Sequence, residues 1–408
     1  MNNFEKMGID EDFNPLYQEL GIKHPNEVQE VVIPKIMGSK SLICVAQTGS
    51  GKTLSFALPI AELIKRIEDE QGLNENTGSP QAVVIVPTKE LALQITDVFK
   101  QISHHAKLRI RSLVTSKNLK QQGFEVLVTT PSKLSVALKK KELSFRDLRY
   151  LVFDEADQLF DMGFKRDIEG IIKFVEFDEV DIHFFSATMP VDVETFLKEK
   201  FRKKNLEMIQ LGSAHKTQQR IETFNLFIQP EEKLAALEAF IKRTAQGRGI
   251  VFVNQKNQVE EVNKFLLERL PTLKFKILHG DLPEKLRISN IKSFMQKKSH
   301  ILVASDVAAR GMDIKDLDWV LNFGLPKSPI YYLHRCGRTG RAGREGRVYN
   351  FVTSFDSKLI SQINQSIREQ SHMDIGLISD KTTKKKTSKK VQRPKKTKRL
   401  KVTKRTRH

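Results

Sequence analysis

The stretch SLICVAQTGSGKT, Ser41 to Thr53, decides how the rest of the chain reads. Ser41–Ala46 is a short apolar run of strand length, and a helix-forming run starts after Thr53. Between them lie Gln47, Thr48, Gly49, Ser50, Gly51 and Lys52. Glycines let successive backbone N–H groups converge on one point, and the following helix N-terminus adds its positive end. The order strand, glycine turn, Lys-Thr, helix is that of a phosphate-binding loop. In it Lys52 would reach the β- and γ-phosphates, and Thr53 would ligate Mg²⁺. Ala46 stands where the generic pattern has its first glycine.

Such a loop needs a carboxylate on a neighbouring strand. The run Leu151-Val152-Phe153 followed by Asp154-Glu155-Ala156-Asp157 supplies one at a strand's C-terminal end, the sheet edge where ligands bind. Asp154 is placed to hold Mg²⁺ and Glu155 to polarise an attacking water. Outward from this pair, short β-branched runs alternate with longer amphipathic stretches, the pattern of repeated βαβ units around parallel sheets. Strands are expected at Ser41–Ala46, Ala82–Pro87, Glu125–Thr130, Tyr150–Asp154 and His183–Ser186. A second set is expected at Gly249–Val253, Phe275–His279, Ile301–Ser305, Trp319–Phe323 and Val348–Val352. Nearly all are apolar throughout, as strands covered by helices on both faces are. The expected organisation is a first α/β domain over 1–211, a linker over 212–220, a second α/β domain over 221–370 and a disordered tail over 371–408.

The chain has 408 residues and a formal charge of +20. Fifteen Lys or Arg and no Asp or Glu lie between Lys381 and His408, so the other 380 residues carry 20 − 15 = +5. A basic run on a near-neutral body fits a polyanion partner, because cations that neutralise phosphates release counterions. Two cysteines far apart argue against a disulfide framework and fit a reducing compartment. The first ten residues read as neither an export nor an organelle signal, and no run is long and apolar enough for a membrane span.

With these residues in view, the chain resembles the DEAD-box family of superfamily 2 RNA helicases from Phe4 to about Val352. The matching motifs stand in the family's order: HPNEVQ (His24–Gln29), AQTGSGKT (Ala46–Thr53), PTKELA (Pro87–Ala92), TPSKL (Thr130–Leu134), DEAD (Asp154–Asp157) and SAT (Ser186–Thr188). They continue with VFVN (Val251–Asn254), SDVAARGMD (Ser305–Asp313) and HRCGRTGR (His334–Arg341). The resemblance implies two tandem RecA-like domains, ATP and Mg²⁺ as cofactors, and RNA as substrate, unwound locally in ribosome assembly or RNA turnover. Phe4, Ile22 and Gln29 would then read adenine, Gly311 and Asp313 the ribose side, and Arg338 and Arg341 the γ-phosphate. His334 would join the water-positioning network, and Asp157, Ser186, Ala187 and Thr188 would couple the domains.

RNA would be held by its backbone without base reading, through Pro87, Thr88, Lys89, Thr130, Ser132, Lys133, Arg287, Ser305 and Arg310. Several positions depart from the family's pattern. Ile22 replaces an aromatic, Asn26 a Thr or Ser, and Lys89 and Lys133 replace arginines, which loses bidentate geometry. Ser116-Lys117 stand where a Gly-Gly turn is usual, Glu284 where a Gln is, and Gly324 where an Asp is. The expectation is therefore a working ATPase whose core grips RNA weakly, with the basic run adding affinity and ribonucleoprotein partners. A monomer in the cytoplasm is expected, or in a nucleolus in a eukaryotic setting. A DNA-directed motor of the same superfamily and an RNA chaperone that needs no ATPase remain as alternatives.

Overall fold

The computed structural model describes residues 3–46, 49–72, 76–114, 123–211, 220–306, 317–340, 345–370 and 374–378. The first half carries strands β1 (Leu42–Val45), β2 (Ala82–Ile85), β3 (Ile110–Ser112), β4 (Val126–Thr129), β5 (Tyr150–Phe153), β6 (Asp181–Ser186) and β7 (Glu207–Gln210). The second carries β8 (Arg220–Phe227), β9 (Gly249–Val253), β10 (Phe275–Leu278), β11 (Ile301–Ser305), β12 (Trp319–Asn322), β13 (Gly346–Val352) and β14 (Asp374–Ile375). Each set forms one parallel seven-stranded sheet, in the orders β3-β4-β2-β5-β6-β1-β7 and β10-β11-β9-β12-β13-β8-β14. Renumbered from its own first strand, the second sheet has the same order as the first. The two halves are one topology used twice.

Each sheet is sandwiched, and the sequence shows why. On β2, Ala82 and Val84 enter one core while Val83 and Ile85 enter the core on the opposite face. On β9, Ile250 and Phe252 divide from Val251 and Val253 in the same way. A strand buried on both faces has no polar face, so its sequence reads as an unbroken apolar run. Parallel pairing in turn requires helical crossovers, which cover those faces.

Two expected boundaries change. Arg220 opens β8 and does not belong to a linker. The second domain also does not stop at residue 370, because Asp374–Ile375 pairs with Arg220–Ile221 as β14. Ile378 is buried beyond it, and Asn364 both donates to the Ile378 carbonyl (2.8 Å) and accepts its N–H (2.9 Å). Backbone pairing, side-chain amide bonds and one buried isoleucine hold this segment, too little apolar signal to stand out beside a lysine-rich run. Residues 212–219 and those from 379 onward lie outside the described residues.

Candidate active site

Strands β5, β6 and β1 are neighbours, so the loops leaving their C-terminal ends meet at one sheet edge. They carry Asp154-Glu155, Ser186-Ala187-Thr188 and the phosphate loop. Gly49 and Gly51 have φ of +80° and +86°. A Cβ at Gly51 would meet Asn26 Nδ2 at 2.3 Å, so the segment around Gln29 lies directly on the loop. Lys52 opens the helix Lys52–Gln71, is buried, and donates from Nζ to the Ala46 carbonyl. Ser50 Oγ is buried without a hydrogen-bond partner. Gln47 and Thr48 lie outside the described residues.

Glu155 sits in the left-handed region at φ +50°, ψ +50°, which costs a non-glycine residue roughly 1–2 kcal/mol. That conformation turns the chain from β5 into the short helix Ala156–Asp161. Its N–H donates to Asp154 Oδ1 (2.9 Å), and its Oε2 is buried without a hydrogen-bond partner. Burial, and then the Glu155 charge, push Asp154 up to about 7 against the pull of Lys52. Burial also raises Glu155, opposed chiefly by Arg338 from the other half of the chain.

Asp157 behaves in the opposite way. Burial works to raise it, but the facing His334 and the Thr188 hydroxyl outweigh that and hold it at about 2. Its Oδ2 accepts from Thr188 N (3.0 Å) and Oγ1 (2.8 Å), and its N–H donates to Ser186 Oγ (3.1 Å). His334 Nε2 stands 3.7 Å from Asp157 Oδ2, an approach across the two domains that is too long for a hydrogen bond. Ala187 lies half-buried between its two partners of the motif.

A cleft of about 1110 Å³ gathers Ile22, Gln29, Lys52, Asp154, Glu155 and Arg338 in its lining, with Gly49, Gly51 and Thr53. The nucleotide residues expected in the first domain thus meet the arginine of the second. Gln29 is 3% exposed, and its Oε1 already accepts from Asn26 N (2.9 Å) while Asn26 Oδ1 accepts from Gln29 N (3.1 Å). This reciprocal cap fixes the Gln29 side chain and explains the asparagine at 26. Phe4 is a correction. It does not line the cleft but is 1% exposed, stacked on Tyr17 with ring centroids 4.1 Å apart. An aromatic ring with no polar atom gains more in that core than at the cleft rim. Gly311, Asp313 and Arg341 lie outside the described residues.

Four of the residues expected to meet RNA have partners within the chain. Thr88 Oγ1 caps its helix by accepting from Leu91 N (3.2 Å), and Ser132 Oγ donates to Asp167 (2.8 Å). Lys133 Nζ donates to the Leu113 carbonyl (3.2 Å). Arg287 Nε stands 2.8 Å from Glu90 Oε1, an ion pair between the domains whose N–H is not aimed at the carboxylate. Pro87, Thr130 and Ser305 are buried, and Lys89 is exposed. Arg310 and Ser116-Lys117 lie outside the described residues. Glu90 and Arg335 were not singled out from the sequence, although both stand inside the quoted motifs.

The DEAD/DEAH box helicase domain matches residues 26–196, and the helicase conserved C-terminal domain matches residues 232–343. The ATP-dependent RNA helicase DbpA of Bacillus subtilis is 31% identical over 375 residues, covering 90% of this chain and 75% of that protein. The chain belongs to the DEAD-box ATP-dependent RNA helicase family. DEAD-box ATP-dependent RNA helicase 39 of Arabidopsis thaliana is also 31% identical, but the chain spans only 62% of its length. A probable ATP-dependent RNA helicase of Methanocaldococcus jannaschii is 31% identical and matched over 96% of its length. Among DEAD-box structures, S. cerevisiae Dbp5 bound to RNA and ADP BeF3 superposes with a TM-score of 0.78 at 25% identity, covering 93% of this chain and 95% of that one. The doubled parallel sheet is thus the RecA-like pair of DEAD-box structures. Among the described residues no helix is long and apolar enough to cross a membrane.

Proposed function

We propose that the chain is an RNA-stimulated ATPase that locally separates or remodels RNA duplexes by closing its two domains on ATP and one RNA strand. The observation that carries this reading is the shared cleft, in which Arg338 of the second domain faces Lys52, Asp154 and Glu155 of the first. Phosphoryl transfer calls for fixed positive charge where negative charge develops, and a guanidinium supplies it. With that guanidinium on the second domain, hydrolysis requires closure. The likeness to a family structure bound to RNA and ADP BeF3 supports the same reading.

Roles follow from chemistry. Lys52 and the Gly49–Gly51 N–H groups hold phosphates, Gln29 and Ile22 cover adenine, and Glu155 orients and deprotonates the attacking water. The donor set fits Mg²⁺. Mg²⁺ takes one or two carboxylates and fills its remaining positions with substrate phosphates and water. Asp154 and Thr53 would hold it, and a bound Mg²⁺ would neutralise phosphate charge. An Asp154 carboxyl raised to about 7 is a group that such a cation would satisfy, and the unpartnered Ser50 Oγ is one that a phosphate would.

The test is ATP turnover with single-stranded RNA, the matching DNA, or neither. Stimulation by RNA alone is expected, and Glu155→Gln should lower it roughly 10²–10⁴-fold, the usual contribution of a general base, with nucleotide affinity retained. Equal stimulation by DNA, or full duplex separation by the Glu155→Gln variant, would overturn the reading.

A further inference from the structure

Arg335 is among the largest fully buried side chains of the described residues. Its five N–H groups are all used. Nε and Nη2 donate to the two oxygens of Asp306 (2.6 Å each), Nη1 donates to Asn322 Oδ1 (2.9 Å) and the Gly324 carbonyl (2.8 Å), and Nη2 also donates to Asn254 Oδ1 (2.9 Å). A saturated guanidinium has nothing left for a phosphate. It clamps the ends of β9, β11 and β12 to the helix Pro329–Cys336, which leads through Gly337 to Arg338.

From Arg335 a row of amides runs across the sheet. Asn322 Nδ2 donates to Asn350 Oδ1 (2.7 Å), Asn350 Nδ2 donates to Asn225 Oδ1 (2.9 Å), and Asn225 Nδ2 donates to the Leu377 carbonyl (3.3 Å). The three asparagines are direct register partners on β12, β13 and β8. Asn350 also donates to Tyr332 Oη (3.1 Å), one turn before Arg335 on the same helix. Because Arg335 can only donate, each amide must accept on its Arg335 side and donate away from it, so one orientation fixes the next. An apolar row would pack here at least as stably. What polar groups add is direction.

We propose that Asn225, Asn350 and Asn322 are positioning residues. They set the helix that carries Arg335 and presents Arg338, and they tie it to the docked segment 374–378, from which the basic run departs. This rests on the function proposed above only for its consequence, that RNA held by the basic run is sensed at Asp306 and Arg338. The relay itself has an independent readout.

Hydrogen exchange of the whole protein is measured for Asn225→Leu, Asn350→Leu and the double variant. Asn225 is on β8 and half-buried, so its replacement leaves the core intact. If the row is a relay, Asn225→Leu speeds exchange at 301–306, four strands away on β11, and at 332–338 beside the row, by about fivefold, the weight of one lost hydrogen bond. Peptides at 150–157 in the first domain stay unchanged. The double variant exchanges there no faster than Asn350→Leu alone, since a chain already cut gains nothing from a second cut. Exchange that rises only at 220–227 and 374–378, or additive effects, would overturn the relay. Should Asn350→Leu fail to fold, the remote or local pattern of Asn225→Leu decides alone. A relay pattern in a protein without RNA-stimulated turnover would sink the proposed function and leave the relay standing.

Discussion

Replacing His183 with leucine is expected to make the first domain more stable and to remove much of its acid sensitivity. His183 is fully buried on β6, in register with Leu42 on β1 and Val152 on β5, and both its ring nitrogens lack hydrogen-bond partners. Burial, with a smaller push from Lys204, lowers its pKa from 6.5 to about 3. The folded protein therefore refuses a proton that the unfolded chain accepts below pH 6.5. The unfolded state binds more protons throughout the window from 6.5 down to 3, so stability is present above pH 6.5 and lost as pH falls. At pH 5 the loss spans 1.5 pH units, about 2 kcal/mol at 1.36 kcal/mol per unit. For a domain of this size that is roughly 4–8 °C in thermal midpoint.

Leucine has a similar volume and no polar atoms, so at pH 7.5 the variant should also gain about 1–3 kcal/mol from removing an unsatisfied buried group. The assay is thermal unfolding of both proteins between pH 7.5 and 5, read as the difference between them so that carboxylates titrating in both cancel. The gap is expected to widen by several degrees as pH falls. Midpoints that fall in parallel, or a variant less stable at neutral pH, would show that His183 has a hidden polar partner. The site is linked to the outcome, because β6 ends at Ser186, which holds Asp157.

Two further predictions concern positions read from the sequence. Phe4→Ala should cost about 3–5 kcal/mol of stability while leaving the preference for ATP over GTP unchanged in the folded fraction, because the ring serves Tyr17 and not adenine; a selective loss of ATP binding would contradict this. Deleting residues 381–408 should leave RNA-independent turnover intact and flatten the salt dependence of RNA binding by about 0.7 in log–log slope per phosphate released, as fluorescence titrations from 50 to 300 mM salt would read. Identical slopes with and without the run would mean that its 15 cations do not touch RNA.

The strands buried on both faces were legible because double burial leaves only apolar residues, as in Leu42–Val45 and Gly249–Val253. What escaped was the rim. β3, β7 and β14 are edge or near-edge strands of two to four residues, and β8 mixes Arg220, Glu222 and Asn225 with apolar positions. Their pairing comes from neighbours, and no local pattern announces it. The candidate site divides along the same line. Lys52 follows a strand and a glycine turn and opens a helix, and Asp154 and Glu155 end a neighbouring strand, so these are legible from local pattern, while Arg338 is legible through the family resemblance. Gln29 was legible as a nucleotide residue, but its lock on Asn26 depends on helix capping geometry.

Arg335 shows why the rest was hidden. In sequence it is one of several arginines in HRCGRTGR, and charge alone would send it to a phosphate. Only the convergence of Asn254, Asp306, Asn322 and Gly324, brought together by three strands, uses up its donors. The same convergence accounts for Gly324. A Cβ there would come within 3.1 Å of Asn254 Nδ2, which donates to the Leu325 carbonyl (2.8 Å) while Asn254 Oδ1 receives Arg335. The position where the family commonly has an aspartate is here part of the arginine's socket, so a side chain there would press on the Asn254 amide that receives Arg335.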